Sequence, residues 1–441
     1  MGPGFESLQG HFFFAILAQL VEQRIRNAWV CGSSPQSGSL FMCYVQMDKK
    51  NTILSLVDKY FERQVEIRRL LHQNPELSKK EKETSALICK ELDAIGLKYN
   101  NDIYGYGIYG FVDGKEPESN CIALRADMDA LPIEEQTNLP FSSRNKGVMH
   151  ACGHDIHVSS LLGVIKILNE MRDEFYGRVM FVFQPSEEEY PGGAVSMLKA
   201  GIFNKVKPSA MLAFHCTPEL ECGVVAMKEG KLMASTDEIY ITIRGKGGHG
   251  ATPHLDIDPV VAACHVVTAL QTIVSRSANP TMPTTFSVGR FIAEGRTNII
   301  PSEVKMECII RTFDEDWRKE CHRLIKQISE NTAKAFGAEA DVFVDHGYPF
   351  VYNNPELTRK IISWSEEFLP KGHLQDAGMR MTAEDFSYFA QQVPSCYFRI
   401  GTHKEGEPIA NLHTAYFNAD ENVLKTSMAL ETYLVLKYLQ R

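Results

Sequence analysis

Four short stretches of this chain carry side chains able to hold a cation. In Met149-His-Ala-Cys-Gly-His-Asp-Ile-His157, Cys152 and His154 stand two apart around Gly153. A thiolate and an imidazole suit a borderline-soft divalent ion such as zinc. C-x-H by itself is weak, and a structural pair is the simpler account of it. In Phe183-Gln-Pro-Ser-Glu-Glu-Glu189 three carboxylates directly follow an apolar stretch. A charge run is ordinarily a solvated loop, but carboxylates at the carboxyl end of a buried strand call for a cation. One of them can ligate while its neighbour accepts a proton. His215 also ends an apolar run, and His413 lies in a loop ahead of the last helix. A lone histidine is more often a satisfied core or surface residue, so the argument is joint. Cys152/His154, Glu187/Glu188, His215 and His413 all fall at strand ends or helix starts, which a parallel sheet brings together. Five N, S and O ligands plus a spare carboxylate match a two-metal hydrolase site.

The elements that must position these residues follow from apolar periodicity. Spacing predicts helices over 51–72, stopped by Asn74-Pro75, and over 80–95, ended by Gly96. Short apolar strands are expected at 107–112, 121–125, 179–183 and 210–214, with helices at 157–172 and 193–200 between them. That alternation indicates an α/β fold with a mostly parallel central sheet and helices on both faces. The pattern changes after about Leu232. A strand at 238–243, a helix from Pro259 to about Arg276, strands at 285–293 and 302–313, a helix capped by Asp314 and a strand at 340–344 spell β-α-β-β-α-β. This predicts an inserted ferredoxin-like α+β domain. The expected organisation is a catalytic domain in two parts, 47–232 and 347–441, around an insert at 233–346. The 238–243 strand and the 259–276 helix offer an edge and a face for pairing with a second copy.

With 44% hydrophobic and 23% charged residues, the chain reads as an ordinary globular protein. A net charge of −9 without a basic stripe excludes nucleic acid as a partner. Eleven irregularly spaced cysteines do not form a disulfide framework. Most read as buried thiols in a reducing compartment, and the location expected is cytoplasmic. No run of 18 apolar residues is present, so no membrane association is expected. Residues 1–46 show neither the helical nor the strand period and read as a mis-assigned N-terminal extension, disordered or non-native, with Met47 as a plausible start.

In combination the motifs are recognisable. They are Ala123-Leu-Arg-Ala-Asp-Met-Asp-Ala-Leu-Pro132, Met149–Asp155, Gln184-Pro-Ser-Glu-Glu188, Gly245-Lys-Gly-Gly-His-Gly-Ala-Thr-Pro-His254, Asn298-Ile-Ile-Pro301 and Ala383-Glu-Asp-Phe386. From about Ile53 to Leu439 the chain resembles peptidase family M20, the aminoacylase and carboxypeptidase metallopeptidases, and within it the N-acyl-amino-acid amidohydrolase and hippurate hydrolase subgroup. The resemblance implies hydrolysis of small N-acyl amino acids with two divalent ions per subunit, Zn, Mn, Co or Ni. Cys152 would bridge both metals, His154 and His215 completing one and Glu188 and His413 the other. Glu187 would be the general base, with Asp129 supporting the site from behind the ligands. His249 would reach the active site of a partner subunit in a homodimer formed through the insert. Asn298 and Arg311 would hold the substrate's carbonyl or carboxylate. Cys216, Glu221 and Ile409-Ala410 depart from the family pattern near the substrate mouth and put substrate preference in doubt. A dipeptidase or carboxypeptidase of the same family is the near alternative, and a catalytically inactive small-molecule-binding homologue the distant one. A zinc nucleobase deaminase is excluded because its H-x-E and P-C-x-x-C pair is absent.

Overall fold

The structure is a computed structural model that describes residues 36–441, with side chains from residue 49. Helix α1 spans Gln36–Gln73. It begins well ahead of Asn51 because no proline interrupts the chain between Pro35 and Pro75. Part of the 1–46 segment, expected to lack helical structure, is therefore helical; residues 1–35 lie outside the described residues.

From there the chain runs through α2 (Lys82–Ala94), β1 (Tyr99–Ile103), β2 (Gly107–Asp113), β3 (Cys121–Asp127), α3 (His154–Glu170), β4 (Arg178–Gln184), α4 (Gly193–Lys199), β5 (Ala210–Glu221), β6 (Val225–Met227) and β7 (Gly230–Met233). The insert contributes β8 (Asp237–Arg244), β9 (Gly248–His249), α5 (Pro259–Thr272), β10 (Thr284–Ile292), β11 (Ile299–Ile300), β12 (Glu303–Thr312), α6 (Glu315–Ala335) and β13 (Glu339–His346). The chain then returns with β14 (Val351–Asn353), α7 (Pro355–Phe368), β15 (Leu374–Asp376), α8 (Ser387–Ala390), β16 (Ser395–His403) and α9 (Val423–Tyr438).

An eight-stranded sheet has the order β1-β2-β4-β3-β5-β16-β6-β15. Its centre, β4-β3-β5-β16, is parallel, while β1-β2, β2-β4 and β16-β6 pair antiparallel. Every residue of β3 is buried, because the sheet is covered on both sides. On one face Ala123, Val182, Met211 and Ala213 pack with Met197 of α4 and Phe386 and Phe389 at α8. On the helical layers, α3 is buried all round from His154 to Leu168 and packs against α9, as a fully interior helix must. The short strands β1, β6 and β15 fall below the length at which alternation is readable in the sequence.

The insert forms an antiparallel sheet of order β10-β12-β8-β13. Ile239, Ile241 and Ile243 of β8 share a core with Ala262, Val266 and Leu270 of α5 and with Cys321 and Ile325 of α6. Asp258 caps α5 by accepting from Val260 and Val261, with Pro259 at the first turn, and Asp314 caps α6. The strand expected at an edge, β8, lies inside, flanked by β12 and β13; the edges are β10 and β13. Two later strands pair with it because both carry the alternating apolar face that β8 needs on either side. Among the described residues, Pro259–Ser277 is long and apolar enough to cross a membrane by composition. Its buried face packs in the insert's core instead, and its last five residues, Ile273–Ser277, form a π-helical turn.

Candidate metal centre

Parallel strands deliver the candidate residues to one side of the sheet. The β3 end leads to Asp129, the β4 end to Glu187 and Glu188, and β5 carries His215. Cys152 and His154 straddle the start of α3, which begins sooner than the periodicity suggested because Gly153 sets it. Gly153 has φ +86°, and a Cβ there would meet Cys216 at 3.1 Å, so both conformation and space demand glycine. His413 adopts φ 59°, a conformation unusual for a side-chain-bearing residue, and its N–H donates to the Ala151 carbonyl at 2.9 Å. That bond ties the last ligand loop to the Cys152 turn.

The side chains converge on Cys152. Its Sγ lies 3.3 Å from His215 Nε2 and 3.3 Å from His413 Nε2. Glu188 Oε1 stands 3.3 Å from His413 Nε2 and 4.0 Å from His154 Nε2. Two groups of ligand atoms result, Cys152/His154/His215 and Cys152/Glu188/His413, sharing the sulfur. His154 Nε2 and Glu188 Oε1 are buried without a hydrogen-bond partner among the described residues. Buried polar atoms left unpaired are costly unless a partner meets them.

Charge points the same way. Burial, reinforced by Glu188, Glu187 and Asp127, drives the Cys152 thiol far above its ordinary range. Burial and His157 hold His215 neutral, well below the usual histidine value. Burial disfavours the charged form of His154, yet Asp127, Asp129 and Glu188 outweigh it and raise the group to about 10. A thiol and an imidazole in such acidic surroundings surrender their protons when divalent cations take their place. The residues present therefore fit two divalent ions.

A direct consequence can be measured on Cys152. With metal bound, alkylating reagent should spare it; after chelation it should label, because the released thiol regains nucleophilicity. Peptide-level mass spectrometry resolves it from the ten other cysteines. Equal labelling in both states would show that Cys152 is not a ligand.

Several further groups hold these ligands in place. The Asp129 carboxylate, expected to act from behind the ligands, accepts from the backbone N–H of Glu187 and of Glu188, both at 3.0 Å, and from Ser78 Oγ at 2.6 Å. Its carbonyl accepts from His154 Nδ1 at 2.8 Å, which aims Nε2 at the cluster. His157 donates Nδ1–H to Asp127 at 2.5 Å and accepts the Cys216 N–H at Nε2, so both its nitrogens are engaged and it is no ligand. Arg125 binds Asp127, Glu384 and Asp385 in one buried network. The quoted motifs contained Arg125, Asp127, Asp129, His157, Glu384 and Asp385; nothing local marked Ser78 or Tyr348, whose hydroxyl donates to the Glu187 carbonyl at 2.5 Å.

A cavity of ≈ 900 Å³ opens on the cluster, lined among others by Glu187, Glu188, Tyr190, Arg311 and Arg399. Glu187 is buried, and burial together with Glu384, Glu188 and Asp385 holds its carboxyl well above the usual range. Arg311 reaches this cavity from β12 and donates to the Met381 carbonyl at 2.8 Å. His249 and Asn298 do not line it. Both are exposed and lie at the β9–β11 pairing, where His249 is opposite Ile299 and Gly250 N–H donates to the Asn298 carbonyl at 2.9 Å.

Known proteins resemble this chain along most of its length. The model of peptidase family M20/M25/M40 matches residues 123–437. Thermostable carboxypeptidase 2 of Saccharolobus solfataricus is 36% identical over 378 residues, 85% of this chain and 95% of that protein. N-acetyl-L-cysteine deacetylase of Bacillus subtilis is 37% identical over 367 residues, 82% of this chain and 85% of its own. The solved structure of the Bacillus subtilis YXEP protein, a dinuclear metal binding peptidase from the M20 family, superimposes with a TM-score of 0.75 at 32% identity, covering 87% of this chain and 99% of that one.

Proposed function

This chain belongs to peptidase family M20/M25/M40, and on that premise we propose that it is a metal-dependent amidohydrolase acting on N-acyl amino acids or related small amides. The products are a carboxylate and a free amino acid. The observation that carries this reading is the pair of ligand groups sharing Cys152 beside the buried carboxyl group of Glu187.

Cys152, His154 and His215 would hold one divalent ion, and Cys152, Glu188 and His413 the other. Bound there, the two ions would supply a water of lowered pKa and polarisation of the amide carbonyl. Glu187 accepts the proton of the attacking water and returns it to the leaving amine. Arg311 pairs the substrate's carboxylate in a forked geometry. Asp129 keeps Glu187 and Glu188 at fixed positions through their backbone N–H groups.

The working unit in this proposal is a homodimer. His249 and Asn298 sit close together at an exposed two-stranded ribbon of the insert and do not line their own cavity, which suits delivery to a second subunit. The free edges β10 and β13 and the outer face of α5, with Val261 exposed, offer surfaces for two-fold pairing. There His249 donates to the oxyanion that forms on the attacked carbonyl, and Asn298 binds the carbonyl or carboxylate alongside it. The nine described cysteines are free thiols, and a thiolate ligand is best preserved in a reducing compartment, so the location proposed is the cytoplasm.

The test is metal content by elemental analysis together with rates on N-acetyl, N-benzoyl and indoleacetyl amino acids and on dipeptides, each with Zn, Mn, Co and Ni. Acyl amino acids should be cleaved in preference to dipeptides. Preference for dipeptides would move the assignment to a dipeptidase or carboxypeptidase, the activity named for one relative. Metal content near zero with no turnover would indicate an inactive binding homologue.

A further inference from the structure

The cavity is lined by a cation, Arg399, that the reaction above does not use. Arg399 lies in the middle of β16, and its Cα is in register with His215 on β5. Neighbouring strands in register place both side chains on the same face, and both line the cavity. Only 5% of Arg399 is exposed. Its Nε is buried with no hydrogen-bond partner, and among the described residues no carboxylate pairs with it. The two acids in its surroundings are committed elsewhere. Glu219 binds Arg380 at 2.7 Å, and Glu384 binds Arg125 at 3.0 Å and Tyr397 at 2.7 Å.

A guanidinium stays protonated in proteins, so this is a buried positive charge without a counter-ion. Such a charge is strongly unfavourable unless something anionic meets it. Arg380, itself paired with Glu219, also lines the cavity, and burial and Arg380 together depress the Arg399 pKa. Arg311 enters the same cavity from β12, anchored on the Met381 carbonyl at 2.8 Å, and can take one carboxylate. The cavity is therefore lined by guanidinium groups from two different strands, β12 and β16.

We infer that Arg399, supported by Arg380, forms a second anion subsite, and that the preferred substrates carry a further carboxylate besides the α-carboxylate. This inference rests on the cavity being the substrate site of an N-acyl amino acid hydrolase. The guanidinium receives the distal carboxylate through paired N–H donors, and that contact supplies the counter-ion that the fold leaves out.

The experiment compares substrates that differ only in that charge. One arm sets N-acetyl-L-glutamate against N-acetyl-L-glutamine, with the charge in the amino acid. The other sets N-succinyl-L-alanine against N-succinamoyl-L-alanine, with the charge in the acyl group. In at least one arm the dianionic member should have a kcat/KM about 10–100-fold higher, the scale of a hydrogen bond to a charged group. Arg399→Gln should bring that ratio close to one, and Arg399→Lys, which keeps the charge, should retain part of it. Thermal midpoints of both variants show whether each is folded. A ratio near one in both arms of the wild type, or a ratio that Arg399→Gln leaves intact, overturns the inference. Loss in Arg399→Gln of the preference for N-acetyl-L-alanine over its C-terminal amide also overturns it, since Arg399 would then hold the α-carboxylate. If the metal-loaded protein cleaves none of these compounds, the substrate reading itself has failed. Calorimetric binding of glutarate against its monoamide then decides the subsite. Tighter glutarate binding that is lost in Arg399→Gln supports it, and equal binding overturns it.

Discussion

Glu187→Gln is expected to lower kcat roughly 10²–10⁴-fold while leaving the metal content unchanged. Glutamine has the shape of glutamate but cannot take the proton of the attacking water. Its backbone N–H still donates to Asp129 and its carbonyl still accepts from Tyr348, so the loop should stay in place. Glu188→Gln should act differently. Glu188 Oε1 is the oxygen next to His413 and His154 and makes no hydrogen bond among the described residues. Weakening it should release metal, and activity should fall because the site empties. Elemental analysis of both variants beside single-turnover rates separates the two effects. His154, Glu187 and Glu188 also form a compact group of potential ligands, so the roles can be exchanged in principle. If Glu187→Gln emptied the site and Glu188→Gln retained metal but lost turnover, the assignments would be reversed.

The second large effect concerns subunit sharing. His249→Ala should cost about 10²–10³-fold in kcat, as expected for removal of an oxyanion donor. His249 lies outside its own subunit's cavity, so that loss should be repaired by a partner. Co-expressed Glu187→Gln and His249→Ala subunits would form mixed dimers with one site carrying both substitutions and one carrying neither. Random assortment puts half the dimers in the mixed class, and each has one intact site. About a quarter of wild-type activity should return, an order-of-magnitude expectation from isologous two-fold symmetry. Each variant alone should stay near its low basal rate. Purified heterodimers that remain inactive would show that His249 works within its own chain or not at all.

The ligand chemistry was legible in the sequence, because it depends on residue types and on their place at strand and helix ends. Cys152, His154, Glu188, His215 and His413 stand beside one another in the fold as that chemistry demanded. The strand–helix alternation and the β-α-β-β-α-β insert were equally readable, since apolar periodicity and caps such as Asp258 and Asp314 are local signals. The family resemblance supplied the division of ligands around Cys152, which spacing alone left open. Tertiary structure decided what depends on sheet order and register. His413 reaches Cys152 across 261 positions, and Arg125 joins Glu384 across 259; no local pattern encodes such closures. The central position of β8 came from the pairing preferences of β12 and β13, which lie far along the chain. Arg399 makes the same point. In sequence it is one arginine in an apolar strand, where a surface or core-edge role is the ordinary reading. Only the alignment of β16 with β5 sets it beside His215, and only the commitment of Glu219 and Glu384 to other partners leaves its charge facing the cavity uncompensated.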